Sequence, residues 1–236
     1  MKNEDKANIY NTLDYSSNAL NILVVGATGG TGRAVVEKLL TAGHKVTAFS
    51  RSANLLDHIS EQLCTINGDA NNPMDIEKAV QNQDVVIVTL GINENPLRVR
   101  FFGSARTVQN IRSAGTRNVI NAMHKHGVQR LIVQSSYGVG DTRGLLSFFD
   151  QLFFSLILKP QIDDTEAQES LVKKSGLDWV LVRPVHLTNE SSYVSPFVSE
   201  NGETRKMKVA RLAVASFLTR ATQEPTYIGK SVAVSG

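Results

Sequence analysis

Hydrophobic positions along the chain fall into short apolar runs that alternate with stretches of helical spacing. Residues 21 to 25 form one such run, which ends in glycines. After it Val35, Val36, Leu39 and Leu40 recur at helical spacing until Gly43. The pattern predicts a strand, a tight turn and a helix. Further strands are predicted at 45–50, 63–67, 84–90, 130–135, 179–183 and 231–234. The 84–90 run is apolar on both faces, as expected of a parallel strand covered on both sides. Helices are predicted from Asn72, which can cap a turn containing Pro73 and Asp75, and over 110–126, 164–175 and 209–219. Gly127 ends the second of these. The fold class that follows is α/β, a Rossmann-type doubly wound and mainly parallel sheet of about seven strands with helices on both faces.

Two stretches fall outside this alternation. Residues 1–20 are polar and mixed in charge and read as a flexible N-terminal extension, leaving 21–236 as one domain. Residues 145–158 are apolar nearly all the way round, so something must cover them. The expected cover is the fold itself or a homodimer interface; the other reading is a mobile roof over a substrate pocket.

Composition narrows the functional classes. A net charge of +3 over 236 residues, with no run of consecutive basic residues, argues against nucleic acid as the main partner. No apolar stretch is long enough to span a bilayer, so no membrane is expected. Cys64 is the only cysteine and cannot form an internal disulfide, which fits a reducing cytoplasm, and its place on a strand predicts a core residue. His124 and His126 lie two apart on a helix and point to different sides, and no HExxH or CxxC exists, so no metal site is expected.

The candidate chemistry lies in Gly26-Ala-Thr28-Gly29-Gly30-Thr31-Gly32, which follows a strand and opens a helix. Gly26 allows the sharp turn, Gly29 or Gly30 lets the backbone approach a pyrophosphate, and Gly32 permits close packing of helix on strand. Thr28 and Thr31 add hydroxyl donors, and the helix N-terminus holds the phosphate charge. The GxxGxxG spacing suits short-chain dehydrogenase/reductases better than the GxGxxG of long-chain dehydrogenases. Where NAD-specific sites place an acid, the second strand ends in Phe49-Ser50-Arg51-Ser52. A guanidinium pairs with a 2′-phosphate and Ser50 or Ser52 donates to it, so the expected cofactor is NADP(H) in preference to NAD(H). Arg33 is a weaker second candidate.

Together with these residues, several short motifs in order resemble the atypical short-chain dehydrogenase/reductases. The likeness is strongest to the biliverdin-IXβ reductase/flavin reductase branch, with NmrA-like proteins as near relatives. The motifs are Asn67-Gly-Asp69, Val86-Ile-Val-Thr-Leu-Gly91, Gly115-Thr-Arg-Asn-Val119, His126-Gly-Val128, Ser135-Ser136, Ser175-Gly-Leu-Asp-Trp179 and Arg183-Pro-Val-His186. The resemblance implies that Asp69 and Ala70 flank the adenine and that Leu90 and Gly91 line the cofactor groove. It also implies that Ser135 and Ser136 lie near the nicotinamide, which Pro184, Val185 and His186 face.

Tyr137 is followed four residues later by Asp141, so the YxxxK pair of ordinary short-chain dehydrogenases is absent, and carbonyl reduction by that route is not expected. A family histidine on the helix after the apolar stretch appears here as Thr165. The catalytic candidates are Ser136, His186 and Tyr137. Ser136 would hydrogen-bond the carboxamide or the acceptor, and His186 would donate a proton, orient the acceptor or simply form a wall. Tyr137 would stack in the pocket or pack under a loop. The expected activity is hydride transfer from NADPH to a small conjugated acceptor such as a flavin or quinone. The rival is a non-catalytic NADP(H)-binding redox sensor of NmrA-like type. A nucleotide-sugar epimerase is a weaker third reading, since the chain lacks the length for a separate substrate lobe.

Overall fold

A computed structural model describes residues 19–92, 108–146, 159–190 and 195–236. The predicted extension falls almost wholly outside them, and so does most of the apolar 145–158 stretch with its homodimer interface. Within them the seven expected strands all form. They are β1 (Asn21–Val25), β2 (Lys45–Ser50), β3 (Leu63–Asn67), β4 (Val85–Val88), β5 (Arg130–Gln134), β6 (Asp178–Pro184) and, as the last strand of the chain, β10 (Lys230–Ser235). They pair in parallel in the order β3-β2-β1-β4-β5-β6-β10.

Each side of the sheet is covered because the strand side chains alternate between two apolar layers. Ile22, Val24, Val46, Ala48 and Ile132 share one cluster with residues of α1 (Gly30–Thr41) and α5 (Arg211–Ala221). Leu23, Val25, Phe49, Val86 and Leu131 share the other with residues of α2 (Pro73–Val80), α3 (Ile111–His126) and α4 (Lys159–Lys173). Full burial of each such aliphatic side chain contributes roughly 1.5–3 kcal/mol before the entropy of ordering is counted.

Local signals set the helix ends. The Asn72 side chain accepts from Met74 N–H at 3.0 Å, and Gly127 closes α3 at φ +71°. α4 includes Lys159 to Asp163, ahead of the expected start at Asp164. Val209 belongs to a strand, and α5 starts after it.

Three strands of three residues each are additions to the expected alternation: β7 (His186–Thr188), β8 (Phe197–Ser199) and β9 (Lys208–Ala210). β8 adds an antiparallel edge beside β10, and β7 pairs with β9 in a separate two-stranded sheet. Cys64 corrects an expectation. It is exposed, because β3 is the outermost strand and has a neighbour on one side only. Among the described residues no helix is long and apolar enough to cross a membrane, and no cluster of three His, Cys, Asp or Glu could hold a metal.

Candidate functional site

The order of the sheet reverses between β1 and β4, and ligands of open α/β sheets bind at such a switch, beyond the strand C-termini. A cleft of about 360 Å³ lies there. Its walls include Gly26, Thr28, Gly29, Gly30 and Thr31 of the glycine turn and Ser50, Arg51 and Ser52 after β2. Asp69 and Ala70 follow β3, and Leu90 and Gly91 follow β4.

Each glycine of the turn answers to a different neighbour. Gly26 has φ +89°, and a Cβ there would sit 2.9 Å from the carbonyl oxygen of Thr89. A Cβ at Gly32 would fall well inside contact distance of the Gly26 carbonyl oxygen, so Gly32 lets α1 lie against the end of β1. A Cβ at Gly29 would meet only that carbonyl oxygen, at 3.3 Å, and would otherwise project into open space. Gly30 faces a side chain from far along the chain, since a Cβ there would come 2.8 Å from Nε of Arg211.

The amides of the turn are left open. The first bond into α1 runs from Arg33 N–H to the Gly29 carbonyl at 2.8 Å. No side chain caps the helix, and its first turn holds no acid. The N–H groups of Gly30, Thr31 and Gly32 therefore have no acceptor among the described residues, and they join the positive end of the helix dipole. An anion fits this cradle, and any larger residue at Gly29 would fill it. Beside it, Thr28 Oγ1 donates to Ser50 Oγ at 3.1 Å, and Ser52 N–H donates to the same oxygen at 3.2 Å, which fixes the bend that presents Arg51.

Four polar residues that the sequence did not single out also line the walls: Asn71, Arg112, Gln134 and Arg211. Nη1 of Arg112 and Oε1 of Gln134 are buried without hydrogen-bond partners among the described residues. Orphaned groups in a cleft mark where a ligand supplies the missing partners. Burial pushes the Arg112 guanidinium below its ordinary value, while the nearby Asp164 carboxylate acts in the opposite direction. Gln134 ends an apolar strand at the ligand-bearing edge of the sheet, a signal that was readable in the sequence. Arg112 and Arg211 gave no local signal.

The chain matches the profile of the NAD(P)H-binding family over residues 26–225. It belongs to that family. An uncharacterised chloroplastic protein of Arabidopsis thaliana is 30% identical over 175 residues, covering 72% of this chain and 60% of that protein. Other curated relatives, matched over shorter spans, include a dehydrogenase and a reductase, and the chain spans only 32% and 34% of their lengths. Among solved structures, a Rossmann-fold NAD(P)-binding family protein from Shigella flexneri has 26% identity and a TM-score of 0.66, covering 92% of this chain and 93% of that one. The anaerobillin reductase ChuY from Escherichia coli O157:H7 has 23% identity and a TM-score of 0.74, covering 91% and 96%. The resemblance carried by the sequence motifs thus holds at the level of family and fold.

In this NAD(P)H-binding chain the remaining expected site residues lie outside the cleft lining. Ser135 is 2% exposed, and its Oγ donates to Glu169 Oε1 at 2.6 Å. The same carboxylate accepts from Arg183 at 2.8 and 2.6 Å. Burial pushes the Arg183 guanidinium down, but its bond to Glu169 and the charges of Glu169 and Asp141 push it further up, so the guanidinium stays charged. Ser136 Oγ donates to the Tyr137 carbonyl at 3.2 Å. Tyr137 is 5% exposed and donates to the Gly202 carbonyl at 2.9 Å, and burial raises its pKa. That places it under a loop. Pro184 and Val185 are buried at the end of β6, whereas His186 is exposed on β7. Arg33 pairs with Glu37 at 3.0 Å and borders a neighbouring groove. Thr165 is buried, with its hydroxyl bonded to the Gln161 carbonyl at 2.7 Å.

Proposed function

We propose that the chain binds NADP(H) in this cleft and transfers hydride from NADPH to a small conjugated acceptor such as a flavin or quinone. The observation that carries this reading is an open amide cradle at Gly30, Thr31 and Gly32 beside a β2 end that reads Ser50-Arg51-Ser52. A carboxylate at that end would repel a 2′-phosphate, whereas a guanidinium and two hydroxyls attract it. A bound nicotinamide supplies the hydride. The amides of Gly30, Thr31 and Gly32 hold the diphosphate, Asp69 and Ala70 border the adenine, and Leu90, Gly91 and Gln134 shape the far end where an acceptor stacks. The likeness to reductases, and the absence of a YxxxK pair, favour a planar acceptor over an alcohol or simple ketone. Titration of the purified chain tests the cofactor half: NADPH binds at least tenfold tighter than NADH, and equal dissociation constants reject it.

A specific observation favours a second reading, a regulatory NADP(H) sensor. Among the described residues lining the cleft there is no histidine, tyrosine, cysteine or lysine to manage a proton, and the Ser135 hydroxyl is committed to Glu169. Following NADPH absorbance with FMN, riboflavin and a quinone offered in turn separates the two. Turnover above a buffer blank supports the reductase, and tight binding without turnover supports the sensor.

A further inference from the structure

Arg211 opens α5, yet its side chain lies against the glycine turn of α1 at Gly30 and lines the cleft. It borders both the cofactor cleft and a smaller groove that also borders Gly30 and is lined by Arg33, Glu37, Thr188, Asn189, Glu190 and Leu212. Nη1 of Arg211 donates to Oδ1 of Asn189 at 2.6 Å, which orients the guanidinium without neutralising it. Among the described residues no carboxylate comes within ion-pair distance of it, in contrast to Arg33, Arg143, Arg183 and Arg220. In the same groove the buried Oγ1 of Thr188 has no hydrogen-bond partner among the described residues. A cation without an ion pair among the described residues and an orphaned hydroxyl thus lie beside the turn.

We infer that Arg211 is a clamp on the diphosphate of the dinucleotide, and that Gly30 is glycine in order to admit this side chain rather than the phosphate. The inference rests on the dinucleotide reading of the cleft. At Gly29, which borders the cleft, a Cβ would meet only the Gly26 carbonyl oxygen, at 3.3 Å, so no side chain stands there and Gly29 is where a phosphate would come close to the backbone. At Gly30 the space of a Cβ is taken by Nε and Cδ of Arg211, at 2.8 and 2.9 Å. A diphosphate seated on the amides of α1 would then have N–H donors below it and a guanidinium beside it. The fork of an arginine matches phosphate oxygens in pairs, which a lysine could not reproduce.

Binding titrations with the full chain test this. Arg211→Gln keeps most of the stem, so packing survives while the charge is lost. It raises Kd for NADPH, NADH and ADP-ribose by a common factor of about tenfold. Adenosine 2′-monophosphate, which lacks a diphosphate, is unaffected. A double-substitution cycle reads the role of Gly30. Gly30→Ala weakens NADPH binding in the wild-type background by displacing Arg211, and adds less than about twofold in an Arg211→Ala background. Thermal midpoints without ligand verify that each variant is folded, and Arg211→Gln carries the test alone if Arg211→Ala is not. Wild-type binding with unchanged affinities in the Arg211 variants overturns the clamp and leaves the dinucleotide reading intact. A full, additive loss from Gly30→Ala in the Arg211→Ala background overturns the assignment of Gly30. Failure of the wild-type chain to bind NADPH, NADH or ADP-ribose overturns the dinucleotide reading and the clamp with it.

Discussion

Two helix N-termini meet at the cleft, and the chain treats them in opposite ways. At α3 the carboxylate of Asp164, reaching across from α4, accepts the N–H groups of Arg112 and Ser113 at 3.0 Å each. At α1 the equivalent groups face the cleft with no side-chain cap and no acid in the first turn. Both ends carry the positive pole of a helix dipole, so chemistry alone does not tell them apart. The protein's own carboxylate closes one to anions and leaves the other open. Open amides are a stability cost in the free chain, and an incoming phosphate offsets that cost. An anion site is therefore recognised less by the presence of a helix terminus than by the absence of a protein partner there.

The strongest way to break the contrast is to uncap α3. Asp164→Ala leaves one buried and one part-buried amide unsatisfied and removes a carboxylate that acts on the Arg112 guanidinium, and it lowers unfolding stability by about 3 kcal/mol. A urea midpoint within error of wild type would mean that water caps α3 equally well. The converse change makes α1 resemble α3. Gly29→Asp places a carboxylate on the open amides, so it raises Kd for NADPH by about a hundredfold through like-charge repulsion. Calorimetry reads the loss, while the unfolding midpoint without cofactor stays level or rises.

A smaller effect sharpens the assignment of the neighbouring wall. Arg51→Ala weakens NADPH about tenfold and leaves NADH within about twofold, since only the 2′-phosphate differs. A common loss for both cofactors would move Arg51 away from that phosphate. The smallest effect concerns the far end of α1, where His44 is 2% exposed and its Nδ1 accepts from Leu20 N–H at 3.3 Å. Burial lowers its pKa below 6.5, so the folded state favours the neutral ring. Its contribution to stability is present above the unfolded pKa and is lost as pH falls through the folded one. Chemical denaturation between pH 7 and pH 5 therefore shows a decline that is shallower in His44→Gln, with NADPH affinity at pH 7 unchanged.

Most of the seven parallel strands were readable because they are nearly continuous apolar runs, which burial on both faces tolerates, whereas β3 at the sheet edge is only partly buried. β7, β8 and β9 were not readable. At three residues each they are too short for any periodicity, and they exist because β10 offers β8 an edge and β7 and β9 pair with each other. The glycine turn was readable for the same reason as the strands, since strand, turn and helix are neighbours in sequence. Which residues share the cleft with it was less so. Ser135 carries the motif expected of a site residue, yet Glu169, 34 positions later, holds its hydroxyl.

Local pattern was enough to establish the α/β alternation, the phosphate-ready turn and the missing acid after β2, because each depends on residues within a few positions of one another. Folding alone decided which helix end stays open, which serine is occupied and whose guanidinium lies over Gly30. Those outcomes depend on groups brought together from distant positions in the chain, as when Asp164 reaches Arg112 across 52 positions. A cap, an ion pair or a filled Cβ space is a property of neighbours in space, and the order of residues along the backbone does not record it.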